Sequence, residues 1–462
     1  MLIMNKKIFL AHNSCLNAAY DLNVLRAGIE AAGHQLVDRP ELADEIVFSG
    51  CSVREHWVDD AINQLDQARL RSPEARIVIT GCIANTSRQI VQSRMTGGQL
   101  SFLPIQEVLL ENSELSFAEV DRRLSQEGGN SFEPATANGL HSLRRRVGET
   151  KYRILAMLDE EDRRHGTHFV RNYRQTTKGF VFYDEQESCE MITVTRSCPY
   201  QCSFCNIPLG RGDFVSVPLQ DIVAKAQAAV ANGRHHIILI GDEVGNYGIK
   251  TGGARFPEMI QAVLSLHPSV TISIRYIEPK PFLKYFEKLL FWGKAGRLQL
   301  LYISLQSGSQ RLLKAMRRGY DIDRIAKALR EFRQSCPTIL YGNWLVGFPG
   351  EQEEDFQATV SLVRDLDFHI NVAIPFSPRP GTPAWVMADQ VDPAVIDIRV
   401  NTLTEVASEL KVALMSQYLA PIASSQCSAI LELVWLAEYE QYVPNDQLPA
   451  PRPVIPLVLR NS

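Results

Sequence analysis

Three cysteines, Cys198, Cys202 and Cys205, fall within eight residues of the stretch TRSCPYQCSFCNIP, in a chain of 462 residues that holds nine cysteines in all. Three is odd, so the group does not read as a set of disulfides. A tetrahedral zinc site takes four ligands, usually as two closely spaced pairs. Three thiolates on one tight loop suit a cubane iron–sulfur cluster, with one iron left open for a ligand from outside the chain.

Three more cysteines have a pattern that only the surrounding elements reveal. Up to about residue 103 the chain alternates short apolar runs (KKIFLA, ADEIVFSG, ARIVITG) with segments of helical spacing (LNVLRAGIEAAG, VREHWVDDAINQLDQARLRS). Gly33 closes the first of these helices. Strand–helix alternation predicts a doubly wound parallel sheet. Cys15, Cys51 and Cys82 each stand just past one of the apolar runs. In a parallel sheet those points share the carboxyl edge, where ligands collect. The alternative, three separate buried thiols, would place them within strands and helices.

Residues 186–420 alternate again. MITVTRS, HHIILIG, VTISIRYIE, LLYISLQS, TILYGNWLVG and INVAIPFSP read as strands, with helical segments between them. Six such units predict a partial (β/α)6 barrel, open at one side, with the Cys198–Cys205 loop at the carboxyl end of its first strand. The expected fold is thus α/β: an N-terminal doubly wound domain, 1–103, an insert or connector, 104–185, the partial barrel, 186–420, and a tail, 421–462. The insert holds RRHGTHFVRNYRQTTK, basic and aromatic residues interleaved as RNA contacts or a solvated connector would have them. The tail is rich in proline and reads as extended.

Composition sets few further bounds. A hydrophobic fraction of 45% with 22% charged residues is ordinary for a globular protein, and a net charge of −4 gives no global attraction to polyanions. No apolar run approaches a bilayer span, the first residues lack a signal-peptide pattern, and sparse, unpaired cysteines fit a reducing cytoplasm.

An open cluster iron can be chelated by the amino and carboxylate groups of S-adenosylmethionine. Reductive cleavage then gives a 5′-deoxyadenosyl radical that abstracts hydrogen from an unactivated carbon. At this point the chain resembles a known family. CxxxCxxC at the end of a first barrel strand is the signature of radical S-adenosylmethionine enzymes. GCSVREHWVDD, VITGCIANT, SCPYQCSFCNIPLGRG, LIGDEVGNYG, SLQSGSQRLLKAMRRGY, LVGFPGEQEEDF and FSPRPGTPA narrow the resemblance to the methylthiotransferases, which modify tRNA adenosines or a ribosomal protein aspartate.

The resemblance implies two 4Fe-4S clusters and S-adenosyl-L-methionine. Cys198, Cys202 and Cys205 would hold the cluster that cleaves the cofactor; Cys15, Cys51 and Cys82 would hold an auxiliary cluster that presents sulfur. Gly241, Asp242 and Glu243 stand where radical enzymes contact the methionyl amine. Gln306 and Ser307 are candidate cofactor neighbours, and Gly347, Pro349 and Gly350 would bring backbone close to the adenine. Glu351 is read as the cap of the following helix. The implied partners are an electron donor such as flavodoxin or ferredoxin and a substrate that is a peptide, a small molecule or tRNA, with no membrane. Two departures stand out. Asn343 replaces a carboxylate usual in the family, and the C-terminal RNA-binding barrel called TRAM is not evident in the acidic, glycine-free tail. Cys189, Cys336 and Cys427 match no motif and read as structural thiols. The leading expectation is insertion of sulfur or a methylthio group at an unactivated C–H carbon. The alternatives are an epimerase, oxidase or cross-linking enzyme that uses the auxiliary cluster as an electron relay, or a cluster-bearing regulator without catalysis.

Overall fold

In the first strand, β1 (Lys7–His12), Phe9 and Ala11 turn to one face and Ile8 and Leu10 to the other, and all four are buried. A strand buried on both faces needs a helical layer on each side. The computed structural model, which describes residues 5–13, 18–95, 100–112 and 189–424, has both layers. The sheet continues with β2 (Gln35–Val37), β3 (Glu45–Gly50), β4 (Arg76–Gly81) and β5 (Leu100–Phe102), all parallel, in the order β2-β1-β3-β4-β5. Phe9, Ile46, Phe48, Ile77 and Ile79 pack on Val58, Ile62 and Leu65 of α2 (Glu55–Arg71). Ile8, Leu10, Val47 and Val78 pack on Leu22, Leu25 and Ile29 of α1 (Ala19–Ala31). Gly33 takes φ +79 just beyond α1, where an αL residue ends a helix.

Two short helices, α3 (Cys82–Thr86) and α4 (Arg88–Arg94), follow β4. The next helix, α5 (Ile105–Glu111), corrects the expected boundary at residue 103. Its Ile105 and Val108 are buried in the core beneath α1, and Asn112 lies against Gly28, so the domain includes residues 105–112. Strands β2 and β5 have three residues each, too few for alternation to show in sequence. β1 lies between β2 and β3, so the chain reverses its winding direction there. The cleft at a sheet's carboxyl edge opens at such a switch point.

The six apolar runs of the second domain form one parallel sheet in chain order: β6 (Cys189–Thr193), β9 (His236–Ile240), β10 (Thr271–Ile277), β11 (Leu298–Gln306), β12 (Ile339–Val346) and β13 (Ile370–Pro375). β6 and β13 are its two edges, so the barrel is open. A small antiparallel ribbon, β7 (Thr195–Arg196) with β8 (Val215–Ser216), flanks the loop of Cys198–Cys205. Between these strands lie α6 (Ile207–Arg211), α7 (Leu219–Ala231), α8 (Phe256–Leu264), α9 (Pro279–Lys284), α10 (Phe286–Lys294), α11 (Gln310–Ala315), α12 (Ile322–Ser335) and α13 (Glu353–Leu366).

Local sequence explains these helices. In α12, Ile322, Ile325, Ala326, Leu329 and Phe332 repeat at helical spacing and are all buried, while Asp321 caps the first turn by accepting from the Arg324 N–H at 2.9 Å. Outward residues of the sheet, including Ile272, Leu301, Ile303, Leu340 and Trp344, join that helical core. Full burial of each large side chain stabilises by about 1.5–3 kcal/mol. A final helix, α14 (Pro393–Ser424), packs on β13 and runs through the expected boundary at residue 420. Cys15, Cys427, the basic stretch Arg163–Arg174 and residues 425–462 of the tail lie outside the described residues. Among the described residues no helix is long and apolar enough to cross a membrane.

Candidate functional site

The Cys198–Cys205 loop is fastened at both ends and in the middle. Ser197 Oγ donates to the Gly212 carbonyl at 2.6 Å, closing the base of the loop. The Ser203 N–H donates to the Met316 carbonyl at 3.0 Å and Ser203 Oγ to Ala315 at 2.9 Å, while the Ser203 carbonyl accepts from the Ala384 N–H at 2.9 Å. All three cysteines are thiols rather than disulfides. Burial pushes all three thiols up. Glu243 and Glu278 reinforce it at Cys198, the neighbouring Cys202 reinforces it at Cys205, which reaches about 12, and Arg318 opposes it at Cys202. Buried sulfurs that resist ionisation alone become thiolates beside a cation or a metal.

Arg318 supplies one such cation. Its Nη1 donates to Cys202 Sγ at 3.4 Å and to Glu278 Oε1 at 2.7 Å, and Nη2 donates to the Ser304 carbonyl. The side chain of Arg318 is 2% exposed and that of Glu278 is 16% exposed. Replacing Arg318 by Met leaves Glu278 buried without its partner. We expect that change to destabilise the fold by about 3–5 kcal/mol, measured by denaturant unfolding.

Glu243 is buried, and its carboxylate accepts the Asn246 N–H at 3.1 Å and the Glu278 N–H at 2.8 Å. Burial, reinforced by Glu278, holds its carboxyl well above the usual range. Asp242 Oδ2 accepts the Ser197 N–H at 2.7 Å and pairs with Arg211 Nε at 2.6 Å. Both acids therefore brace the cysteine loop and the strand ends. A Cβ at Gly241 would run into the Thr195 hydroxyl and lie 2.9 Å from the Thr195 carbonyl. Gly241→Ala should accordingly cost about 1–3 kcal/mol, a drop that thermal unfolding reads directly.

Gln306 ends β11 beside a register shift, at φ +73. Ser197, Tyr276 and Arg317 also take positive φ, so four of the five such non-glycine residues described lie near the carboxyl end of this sheet. Strain of that kind gathers at functional sites. Ser307 Oγ accepts the Ser309 N–H at 3.0 Å and lies 3.3 Å from Thr359 Oγ1, so its hydroxyl is engaged in the turn into α11. Gly347 and Gly350 have φ +84 and +80 on either side of Phe348 and Pro349.

Glu351 is not the helix cap. Gln352 is, with Asp355 accepting the Gln352 N–H at 2.9 Å. Glu351 instead turns back, accepts the Gly347 N–H at 2.8 Å and pairs with Arg399 at 3.0 Å, which fixes the glycine turn. Asn343 pairs in register with Ser304 and Val372, on the face of the sheet opposite Trp344. Tyr276, Tyr302 and Tyr341 pack in series, with centroids 4.3 and 3.7 Å apart. Cys336 is buried and its Sγ donates to the Phe332 carbonyl at 3.1 Å, a packing role.

Cys51 and Cys82 lie across one seam from this loop. The Cys51 N–H donates to Asn13 Oδ1 at 2.8 Å, so the end of β1, two residues before Cys15, is tied to Cys51. Ser52 Oγ lies 2.6 Å from Thr86 Oγ1, and Thr86 donates to the Cys82 carbonyl at 2.9 Å. From the barrel side, Asn206, next to Cys205, donates to the Ser52 carbonyl at 3.1 Å. Asn85 Nδ2 donates to the Gly210 carbonyl at 3.0 Å. A Cβ at Gly210 would lie 3.1 Å from Cys82 Cβ and 3.3 Å from its Sγ, so a side chain there would press Cys82 back by a few tenths of an ångström. Asp21, Cys51, Cys82 and Arg211 share a cleft of about 280 Å³, open space included. Arg318, Glu278, Arg211 and Asp21 were not marked as site residues by sequence. The doubled Arg-Arg-Gly after α11 and the Arg-Gly after the third cysteine were the only signals.

Two cysteine-bearing edges, one of an open (β/α)6 barrel and one of a doubly wound domain, thus define an α/β enzyme built around cluster chemistry. Residues 192–363 match the radical SAM superfamily, and residues 7–101 match the uncharacterized protein family UPF0004. The chain is 26% identical over 408 residues to a tRNA-2-methylthio-N(6)-dimethylallyladenosine synthase of Methylobacillus flagellatus, covering 86% of this chain and 82% of that one. To the enzyme of the same name from Burkholderia multivorans it is 29% identical over 439 residues, covering 90% and 83%. The radical S-adenosylmethionine methyltransferase TsrM of Kitasatospora setae has a similar fold, with TM-score 0.51 at 16% identity, covering 83% of this chain and 77% of that one. The chain thus joins a radical SAM domain to an N-terminal UPF0004 domain, and the two synthases it resembles across most of its length are methylthiotransferases.

It is an enzyme of sulfur or methylthio transfer, and its cofactors are 4Fe-4S clusters and S-adenosylmethionine. The barrel loop fits such a cluster: three thiols on eight residues, no disulfide, and a buried guanidinium beside Cys202. Among the described residues no three Cys, His, Asp or Glu converge as a site for a single ion. Ligands that each hold a different iron of a cluster do not need to converge in that way.

Proposed function

We propose that the chain is a tRNA methylthiotransferase of the cytoplasm that uses both cysteine triplets. Cys198, Cys202 and Cys205 hold one cluster, and Cys15, Cys51 and Cys82 hold the second. The clusters and S-adenosylmethionine supply, when bound, hydrogen abstraction from an unactivated carbon and the sulfur that replaces it. The protein's part is placement. Arg318 balances the charge at Cys202, and Ser197, Ser203 and Asp242 hold the loop. Gly241, Gln306, Gly347, Pro349 and Gly350 present backbone toward the cofactor, and Glu243 and Ser307 brace those turns from behind. The inner face of the barrel, with Tyr302, Tyr341 and Asn343, takes the substrate. A flavodoxin or ferredoxin delivers the electron.

One observation supports this reading above the others: Gly210, five residues after Cys205, packs on Cys82, so the barrel loop and a cysteine of the N-terminal domain meet at one seam. The names of the relatives favour tRNA over a peptide or a small metabolite. Mass spectrometry of tRNA nucleosides from a strain lacking the gene tests it. The expected result is loss of a methylthio-bearing nucleoside, restored by the wild-type gene and not by the Cys51→Ala/Cys82→Ala form. Unchanged tRNA, together with a product elsewhere that has lost hydrogen or changed only in configuration, would point to the electron-relay alternative.

A further inference from the structure

Arg211 stands at the end of α6 with its side chain 3% exposed. Its Nη2 lies 2.8 Å from Asp21 Oδ2, on α1 of the N-terminal domain, and its Nε lies 2.6 Å from Asp242 Oδ2, at the end of β9 in the barrel. Asp21 and Asp242 are 2% and 3% exposed. The network continues, because the same Asp242 oxygen accepts the N–H of Ser197, the residue before Cys198. At its other end, Asp21 and Arg211 line the cleft of Cys51 and Cys82.

We propose that Arg211 is the positioning residue that couples the two cysteine sites, its guanidinium clasped between a carboxylate from each domain. The physical basis is geometric. A planar guanidinium presents donors along two edges and can join two carboxylates at once, which a lysine ammonium does not do with the same fixed angle. Three charges buried together hold their places only while all are paired. Asn206 and Gly210 set the contact across the seam through neutral hydrogen bonds and packing. The Asp21–Arg211–Asp242 clasp is the charged, directional link, and it reaches both loops. Transfer between two sites falls steeply when one of them is displaced by an ångström, whereas cleavage at the barrel loop needs only its own geometry.

This inference rests on the two-cluster reading, and its test separates the two. Arg211→Lys keeps a buried cation and Asp21→Asn keeps the shape, so both are expected to fold; Arg211→Met is the stronger lesion. Pulsed electron paramagnetic resonance on the reconstituted, reduced protein reads the separation of the two clusters. A narrow distribution is expected in the wild type and a broadened one in all folded variants. The ratio of S-adenosylmethionine cleaved to product formed should rise about tenfold. In the cluster-free chain, amide hydrogen exchange over 82–86 and 206–211 should quicken in Arg211→Lys and Asp21→Asn. A wild-type distribution and ratio in both variants, or unchanged exchange in the cluster-free chain, overturns the clasp. A wild-type protein that binds a single cluster overturns the two-cluster reading, and the exchange measurement still decides on the clasp.

Discussion

Changing Cys198, Cys202 and Cys205 together to alanine abolishes cleavage of S-adenosylmethionine and lowers the iron taken up in anaerobic reconstitution by about half. The loop's anchors, Ser197 Oγ to the Gly212 carbonyl and the Ser203 N–H to the Met316 carbonyl, use none of the three thiols and survive the change. The fold should therefore persist with one empty site. Iron and acid-labile sulfide assays, with 5′-deoxyadenosine measured by chromatography, check both halves of the expectation. Loss of all iron from this variant would show that the N-terminal cysteines form no site of their own.

The reciprocal change has the opposite signature. With Cys15, Cys51 and Cys82 replaced by alanine, sulfur transfer is lost, while cleavage of S-adenosylmethionine continues without product. Cys51 and Cys82 sit on the N-terminal sheet edge, and the strained strand ends and glycine turns of the barrel lie on the other side of the seam. Removing the N-terminal thiols leaves those barrel features in place. If cleavage disappeared while the barrel cluster remained intact by spectroscopy, the division of labour between the triplets would be wrong.

Much of the scaffold could be read from period alone. KIFLAH, EIVFSG and RIVITG are unbroken apolar runs because both faces of their sheet are covered, and HIILI in the barrel is buried at every position. Cys51 and Cys82 follow such runs at once, which is why their shared edge follows from sequence. Strands of three residues, β2 and β5, carry no usable period. Helix α5 falls in the segment that reads as a connector, and only the core beneath α1 shows where Ile105 and Val108 belong.

Sequence singles out the candidate ligands of the site and not their supports. A cysteine triplet announces its chemistry by type and spacing. Arg318, Glu278, Arg211 and Asp21 are common residues whose meaning comes from partners 40 to 190 residues away, which no local pattern encodes. Glu351 shows the same limit: an acid ahead of a helix looks like a cap, yet a buried arginine from α14 and the open N–H of Gly347 claim it instead.

The most direct test of two sites with separate tasks is the Mössbauer spectrum of the full chain reconstituted with iron-57, recorded with and without S-adenosylmethionine. Two 4Fe-4S clusters, about eight irons per chain, are expected, with the cofactor altering the signal of one cluster and leaving the other unchanged. A single cluster, or a response spread over all the iron, would contradict the assignment of Cys198–Cys205 and Cys15, Cys51 and Cys82 to different roles.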